Sequence, residues 1–273
     1  MSVSYTAYSF QLVDVRTNRA IDDDTGQFIV YTAASPVKAT VYSNEYGTAL
    51  TQPGTLTNGW GQFWTASDVT SVDVTVLTST GRAYFLKTLT PSQHRIDVDT
   101  EKQEYMLTLG WAILSAHADG TVSALGFQLQ TGMRIKDVMV QKTSSGVGVG
   151  AGLILDFGVS GDPDGFVDGM TASSTGYYLN EGVFTNATGA LGGMFVSGVQ
   201  TRGILLTEFG TGLDTGTTAG VRGFISRKSY LASLVTTTNN LVFAINGTSA
   251  LTTAVGSKGY VHFTLDILPT AGN

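Results

Sequence analysis

The sequence predicts an all-β protein: a small N-terminal β-sandwich of the immunoglobulin or transthyretin type, then a larger jelly-roll-like β-sandwich. Three observations carry that expectation. Apolar and polar residues alternate over short runs, the period of a half-buried strand. Turn-forming residues separate the runs, with 34 glycines in 273 positions. Charged residues make up 13% of the chain against 42% hydrophobic, so the polar surface is largely hydroxyl and amide.

The elements follow in order. Tyr8, Phe10 and Leu12 alternate with Ser9 and Gln11, which predicts a first strand. Asp22-Asp23-Asp24-Thr25-Gly26 reads as a turn into a buried run from Phe28 to Tyr31. Pro36 opens a further strand with Val37, Ala39 and Val41 on one face. Asn58-Gly59 is a strong hairpin signal, because both residues tolerate the left-handed backbone of a tight turn. Val72, Val74 and Val76 alternate with Asp73 and Thr75; Ser79-Thr80-Gly81 then turns the chain into Ala83 to Leu86, and Ile96 and Val98 close the set.

From Asp97 to Glu104 lies the densest charged stretch, read as a solvated connector or a single helical turn. A domain boundary there gives residues 1–100 as the N-terminal sandwich and 101–273 as the jelly-roll domain. In the second part Leu107, Leu109, Trp111 and Ile113 share one face, Asp119-Gly120 turns, and Leu125, Phe127 and Leu129 share another. A three-residue step between Ile135 and Val138 predicts a bulge. Leu153 to Phe157 is a buried strand, and Leu241, Phe243 and Ile245 lead into an Asn246-Gly247 turn. Val261, Phe263, Leu265 and Ile267 form the last strand's inner face. Between Gly182 and Gly223 the chain is rich in Gly and Thr with weak periodicity, read as a long loop or an arm that orders against a neighbour.

Several function classes are disfavoured. Lys and Arg number 15 against 21 acids, with no basic cluster, so no nucleic-acid partner is expected. No run approaches the ~20 apolar residues of a membrane helix, and Met1 to Thr6 does not read as an export signal; a soluble chain made in the cytoplasm is expected. With no cysteine there are no disulfides or thiolate sites.

The candidate chemistry is sparse. Asp162-Pro163-Asp164-Gly165, flanked by Asp156 and Asp168, is the one carboxylate cluster of the second half. A hard cation needs several oxygens, but the distal glutamate of a calcium loop is missing. A plain turn is the preferred reading, with a cation at Asp162, Asp164 and Asp168 left open. Asp22 to Asp24 is read the same way. A glycosidase would need two acids facing each other across a cleft with one kept protonated, and acids in turns stay ionised. His94, His117 and His262 show no metal-ligand spacing, and His262 falls on an outward strand face. Gly146 to Gly152 has the wrong spacing for a dinucleotide loop and precedes a strand instead of a helix. Trp60, Phe63 and Trp64 cluster beside Asn58-Gly59; burial as the lid of the first core is preferred over exposure as a sugar-stacking surface. No enzyme, no cofactor and no metal is therefore expected.

Two stretches carry a resemblance. Ala39 to Leu50, followed by Asn58-Gly59-Trp60-Gly61-Gln62-Phe63, resembles small β-sandwich modules of tailed-bacteriophage virion proteins. Met133 to Val138 and Leu155-Asp156-Phe157-Gly158 with Asp162 to Gly165 resemble jelly-roll domains of phage capsid decoration and fibre-like proteins. The resemblance implies a virion component, often a trimer, without cofactor, whose partner is the major capsid protein. On that basis the expected function is decoration or cementing of the capsid. A fibre component binding host-surface carbohydrate is the alternative, and a polysaccharide-degrading virion enzyme the third reading.

Overall fold

The structure is a computed structural model that describes residues 4–99, 102, 104–117, 120–129, 133–145, 154–171, 175–179, 183–184, 201–202, 239–246 and 255–266. Every regular element among them is a strand. Contacts group the chain into two units, Met1–Thr108 with Asp266–Asn273, and Leu109–Leu265.

The first unit contains β1 (Tyr5–Asp14), β2 (Arg19–Ala20), β3 (Gln27–Thr32), β4 (Gly54–Thr55), β5 (Trp60–Ala66), β6 (Val72–Leu77), β7 (Ala83–Leu89) and β8 (Gln93–Val98). One sheet runs β2-β1-β5, with β8 also paired to β1; the other runs β4-β3-β6-β7. β8 is parallel to β1, and the other pairs are antiparallel. Tyr8, Phe10 and Leu12 of β1 are wholly buried, as their alternation predicts. They share one apolar cluster with Phe28 and Val30 of β3, Phe63 of β5, and Val72, Val74 and Val76 of β6. Phe10 meets Phe28 edge-on at 5.5 Å, joining side chains of the two sheets. Each such aromatic buried contributes roughly 1.5–3 kcal/mol.

Two expectations for this unit are corrected. Val37 to Val41 forms no regular strand, only an isolated bridge between Tyr31 and Lys38. The reason is Gln52. The Val30 N–H donates to its Oε1 at 2.7 Å, and its Nε2 donates to the Ala39 carbonyl at 2.7 Å, so a side-chain amide replaces a ladder rung. The alternation itself holds, since Val41 is buried. Asp73 and Thr75, expected on a polar face, are instead buried. Asp73 Oδ2 accepts the Ala34 N–H at 3.0 Å and Oδ1 the Thr88 N–H at 2.8 Å. Both donors have left-handed backbone, φ 55° and 57°, a conformation costly for residues with a Cβ. Thr88 sits where the β6–β7 register slips between Val72 and Val74. One carboxylate thus holds a left-handed turn residue and a left-handed residue of the β7 irregularity while its own charge is met by N–H donors.

In the charged stretch after β8 the Lys102 N–H donates to the Asp99 carbonyl at 3.3 Å, and residues 100, 101 and 103 lie outside the described residues. β9 (Glu104–Ala112) follows, then β10 (Thr121–Leu129), β11 (Arg134–Ser145), β12 (Ile154–Val159), β13 (Asp162–Thr171), β14 (Gly176–Leu179), β15 (Val183–Phe184), β16 (Thr201–Arg202), β17 (Asn239–Asn246) and β18 (Ser257–Asp266). One sheet has the order β14-β11-β18-β9, the other β10-β17-β12-β13-β15-β16. Leu109, Trp111, Leu125, Phe127, Phe157, Ile245, Val261 and Phe263 are buried, and Trp111 lies 6.3 Å from Phe243. Ile135, Val138 and Val140 of β11 are buried, so the inward parity changes between Ile135 and Val138.

Asp162-Pro163-Asp164-Gly165 is not the turn. The chain reverses at Ser160-Gly161, and Asp162 opens β13 opposite Val159. The register then slips until Phe157 faces Val167. That irregularity accommodates Pro163, which has no N–H for a ladder. The Gly146–Gly152 stretch, Gly247, Ile267, and Gly182–Gly223 apart from β15 and β16 lie outside the described residues.

Three outcomes follow. Asp73→Asn replaces an acceptor oxygen by an N–H donor group facing a backbone N–H, and should cost about 1–3 kcal/mol in urea unfolding of the full chain. Gly259, buried on β18, would place a Cβ 1.8 Å from the Gln141 carbonyl oxygen and 2.8 Å from Trp111 Cζ2. Gly259→Ala should therefore cost on the order of 3 kcal/mol, whereas an Asn at exposed Gly120, where no atom lies within 4 Å, should be near neutral. Burial, reinforced by neighbouring Tyr105, holds the Tyr84 phenol above the ordinary value of 10.0. The unfolded chain releases that proton first, so this stability is complete below pH 10 and declines above it. Tyr84→Phe should flatten the alkaline arm of a stability–pH curve and leave the neutral region unchanged.

Candidate functional site: the outer face of the first sheet

Strand alternation and register assign every side chain of β1 and β5 to one of two faces. Tyr8 stands opposite Phe63, and Phe10 opposite Gly61, both pairs facing the core. Gln11 opposite Trp60, Ser9 opposite Gln62, Ala7 opposite Trp64 and Tyr5 opposite Ala66 face the other way. On β8, Gln93, Arg95 and Asp97 align with Ser9, Gln11 and Val13 on that same outer face.

The turn before β5 sets this arrangement. Asn58 and Gly59 have φ of 48° and 71°, and Thr57 and Trp60 exchange backbone hydrogen bonds at 2.9 Å, the geometry of a type I′ hairpin. The Gly59 carbonyl accepts the Leu12 N–H at 3.0 Å, tying the turn to β1. A Cβ on Gly59 would lie 2.1 Å from the Ile21 carbonyl oxygen, so glycine is required for both backbone angle and space.

Trp60 and Trp64 are half-buried on this outer face, while Phe63 is fully buried on the other. The expectation that the two tryptophans close the core is corrected: they occupy the opposite parity to Phe63. Between them stand exposed Gln62 and Ala7 and half-buried Ser9 and Gln11. At about 3.4 Å per residue, the two tryptophans are roughly 14 Å apart along the strand.

Tyr42 continues the row. Its backbone bridges Trp64 through two 2.9 Å hydrogen bonds, and its ring meets Tyr5 edge-on at 4.6 Å. The adjoining loop is tied together internally. Asn44 Oδ1 accepts the Tyr46 N–H at 3.0 Å and the Thr48 N–H at 3.2 Å, and the Ser43 N–H donates to the Thr48 carbonyl at 2.8 Å. At its tip Tyr46 is 82% exposed. This loop approaches Tyr5, whose hydroxyl is 2.3 Å from where a Cβ on Gly47 would stand.

The strip between Trp60 and Trp64 carries no ionisable side chain. At the β8 edge, Arg95 pairs with Asp97 and donates to Asn18 Oδ1 at 2.7 Å. The sequence reading singled out Trp60 and Trp64 but not Tyr5, Tyr42, Gln11 or Gln62. For Tyr5 and Gln11 the signal was the odd-numbered parity of β1; Gln62 and Tyr42 join them only through pairing that is not local in sequence.

The other candidate residues do not converge. Asp23 is buried, with Oδ1 accepting Thr25 and Gly26 N–H groups at 3.2 and 2.8 Å and Oδ2 accepting that of Ser79 at 2.9 Å. Asp24 accepts the Asn58 N–H, and Asp22 is exposed. The first acidic cluster therefore organises turns. Asp156 is buried opposite Ala244. Asp162, Asp164 and Asp168 lie on β13, with their side chains outside the described set. His94 Nε2 donates to the Thr90 carbonyl at 2.8 Å. His117 is half-buried, and His262, also half-buried, lies 6.3 Å from the Tyr260 ring. Among the described residues no group of three or more His, Asp or Glu is placed to hold a metal ion, and no helix is long and apolar enough to cross a membrane.

No protein-family model matches the chain, and no curated protein matches its sequence. Solved structures of infectious bursal disease virus match weakly. A VP2 point mutant in derived T=1 particles is 10% identical, and a second structure of such T=1 particles is 9% identical. Each match covers 98% of this chain and 63% of the other, at a TM-score of 0.16. The VP2 subviral particle is 9% identical, with 98% of this chain and 66% of that one covered, again at 0.16. This chain thus spans about two thirds or less of those chains, and a likeness at that score carries no argument.

Proposed function

We propose that this chain is a structural component of a virus particle, a decoration protein bound non-covalently to the capsid of a tailed bacteriophage. The observation that carries the reading is the strand order of the second unit. Taken in chain order, β9, β10, β11, β12, β13, β14, β17 and β18 pair first with eighth, second with seventh, third with sixth and fourth with fifth. That nesting fits one long ribbon folded back across itself. With β15 and β16 continuing the second sheet beyond β13, the orders β9-β18-β11-β14 and β10-β17-β12-β13 support a double Greek-key jelly roll, an architecture that recurs in viral capsid and lectin domains. The Trp111–Phe243 contact, from one sheet to the other, fits two faces packed over a common core. In the first unit the shared aromatic cluster supports a small sandwich of the immunoglobulin or transthyretin class.

Composition supports an assembly role. A surface rich in hydroxyl and amide groups desolvates at lower cost than an ionic one, and Val122 at 45% and Leu114 at 68% exposure offer apolar contacts on the second unit. Weak contacts made by a symmetric oligomer at many equivalent sites multiply through effective concentration. The expected assembly is a homotrimer that contacts the major capsid protein.

Cryo-electron microscopy of the phage particles assembled in cells that make this chain, with quantitative mass spectrometry, tests the proposal. Copies distributed symmetrically over the head in fixed ratio to the shell subunit are expected. A few copies confined to the tail, or none in the particle, would overturn it. Native mass spectrometry of the isolated chain should show three copies.

A further inference from the structure

We infer that the outer face of β1 and β5 is a binding platform for a neutral oligosaccharide, with Trp60 and Trp64 as stacking surfaces and Gln62, Gln11 and Ser9 as the hydrogen-bonding groups between them. This rests on the register of the first sheet and is independent of the capsid reading.

Three observations converge on that ligand class. Both indoles are held on regular strand and only half-buried, so each is positioned yet keeps apolar surface in solvent. A sugar ring has an apolar C–H face that packs on an aromatic face, so two such rings on one strand suit a linear chain of sugars. The polar groups between them are neutral: two amides and a hydroxyl, which offer donors and acceptors together. Among the described residues, none of the side chains of Ser9, Gln11, Gln62 and Gln93 is hydrogen-bonded to another protein group. Sugar hydroxyls, themselves both donor and acceptor, match that set. Finally, the charge pattern discriminates. No cation stands between the tryptophans, and Arg95 at the margin is held by Asp97 and Asn18. A phosphate, sulfate or uronate would find only Arg95, beside Gln11 and already paired with Asp97, and a nucleic acid would lack the basic footprint it needs.

A site on the face of a sheet is shallow, and this shapes the expected affinity. Ala7 is exposed at its floor and Tyr5, Tyr42 and Trp64 border one end. Such a shallow site binds single rings weakly and draws strength from length and from copy number. Tyr46 is exposed at the tip of the tied loop, whose Gly47 lies against Tyr5.

The experiment uses the full chain against immobilised neutral polysaccharides (glucan, mannan and galactan) and their sulfated or uronate-containing counterparts, with indole fluorescence recorded during titration. Retention on at least one neutral polysaccharide is expected, with a change in tryptophan emission and little response to salt. Trp60→Ala and Trp64→Ala should each weaken binding by about tenfold or more. Gln62→Ala, at an exposed position that contributes nothing to the core, should weaken it severalfold with an unchanged melting curve. No retention on any neutral polysaccharide would overturn the inference, as would binding that survives the double tryptophan variant or is confined to charged glycans. Loss of particle attachment by the tryptophan variants, with no glycan bound by the parent chain, would make the face a protein-docking surface and equally overturn it.

Discussion

The register of β1 against β5 is the constraint on which the first unit depends. Side chains alternate with a period of two, so a slip of one residue would bring Trp60, Gln62 and Trp64 into the core and expel Phe63 and Tyr8. The Asn58-Gly59 turn opposes that slip: its left-handed residues fix where β5 begins, next to Thr57. Its Gly59 carbonyl, in turn, takes the Leu12 N–H. The aromatic face is a direct consequence: once Phe63 stacks on Tyr8 at 5.2 Å, the tryptophans on either side of it have nowhere to go but outward.

Polar groups perform structural work that a catalytic reading would have assigned to chemistry. Asp23 and Asp73 are buried carboxylates satisfied by backbone N–H groups: Asp23 joins its own turn to Ser79, and Asp73 joins Ala34 to Thr88. Gln52 fills a missing ladder rung through its amide. Each replaces water with fixed donors or acceptors, and each would leave orphaned backbone groups if truncated. A chain with so few charges can bury some of them because their partners are main-chain dipoles already present. The outer face of β1 and β5 differs in kind, because its amides and indoles point to solvent.

The parts of the fold legible in the sequence are those set by local alternation. Tyr8-Phe10-Leu12, Leu125-Phe127-Leu129 and Val261-Phe263-Leu265 each lie on one parity and each is buried. Where both parities are apolar, the pattern loses its information. From Trp60 to Thr65 aromatic residues fall on even and odd positions alike, and only pairing with β1 shows which face is inward. The Val37–Val41 strand failed for a different reason, since no local pattern announces that Gln52 will interpose. Similarly, Asp162-Pro163-Asp164-Gly165 has turn chemistry, yet Ser160-Gly161 supplies the reversal first. Sheet order in the second unit is beyond local reading, because it joins β9 to β18 and β10 to β17 across more than a hundred residues.

The most direct test of the two-faced β5 exploits a chain without cysteine. Single cysteines at Gln62, Phe63, Trp64 and Thr65 can each be reacted with a maleimide under native conditions and again after unfolding. The account predicts fast native labelling at 62 and 64 and strong protection at 63 and 65, with all four equal once unfolded. Protection at 62 and 64 with rapid labelling at 63 and 65 would contradict the register, and with it the exposed aromatic face.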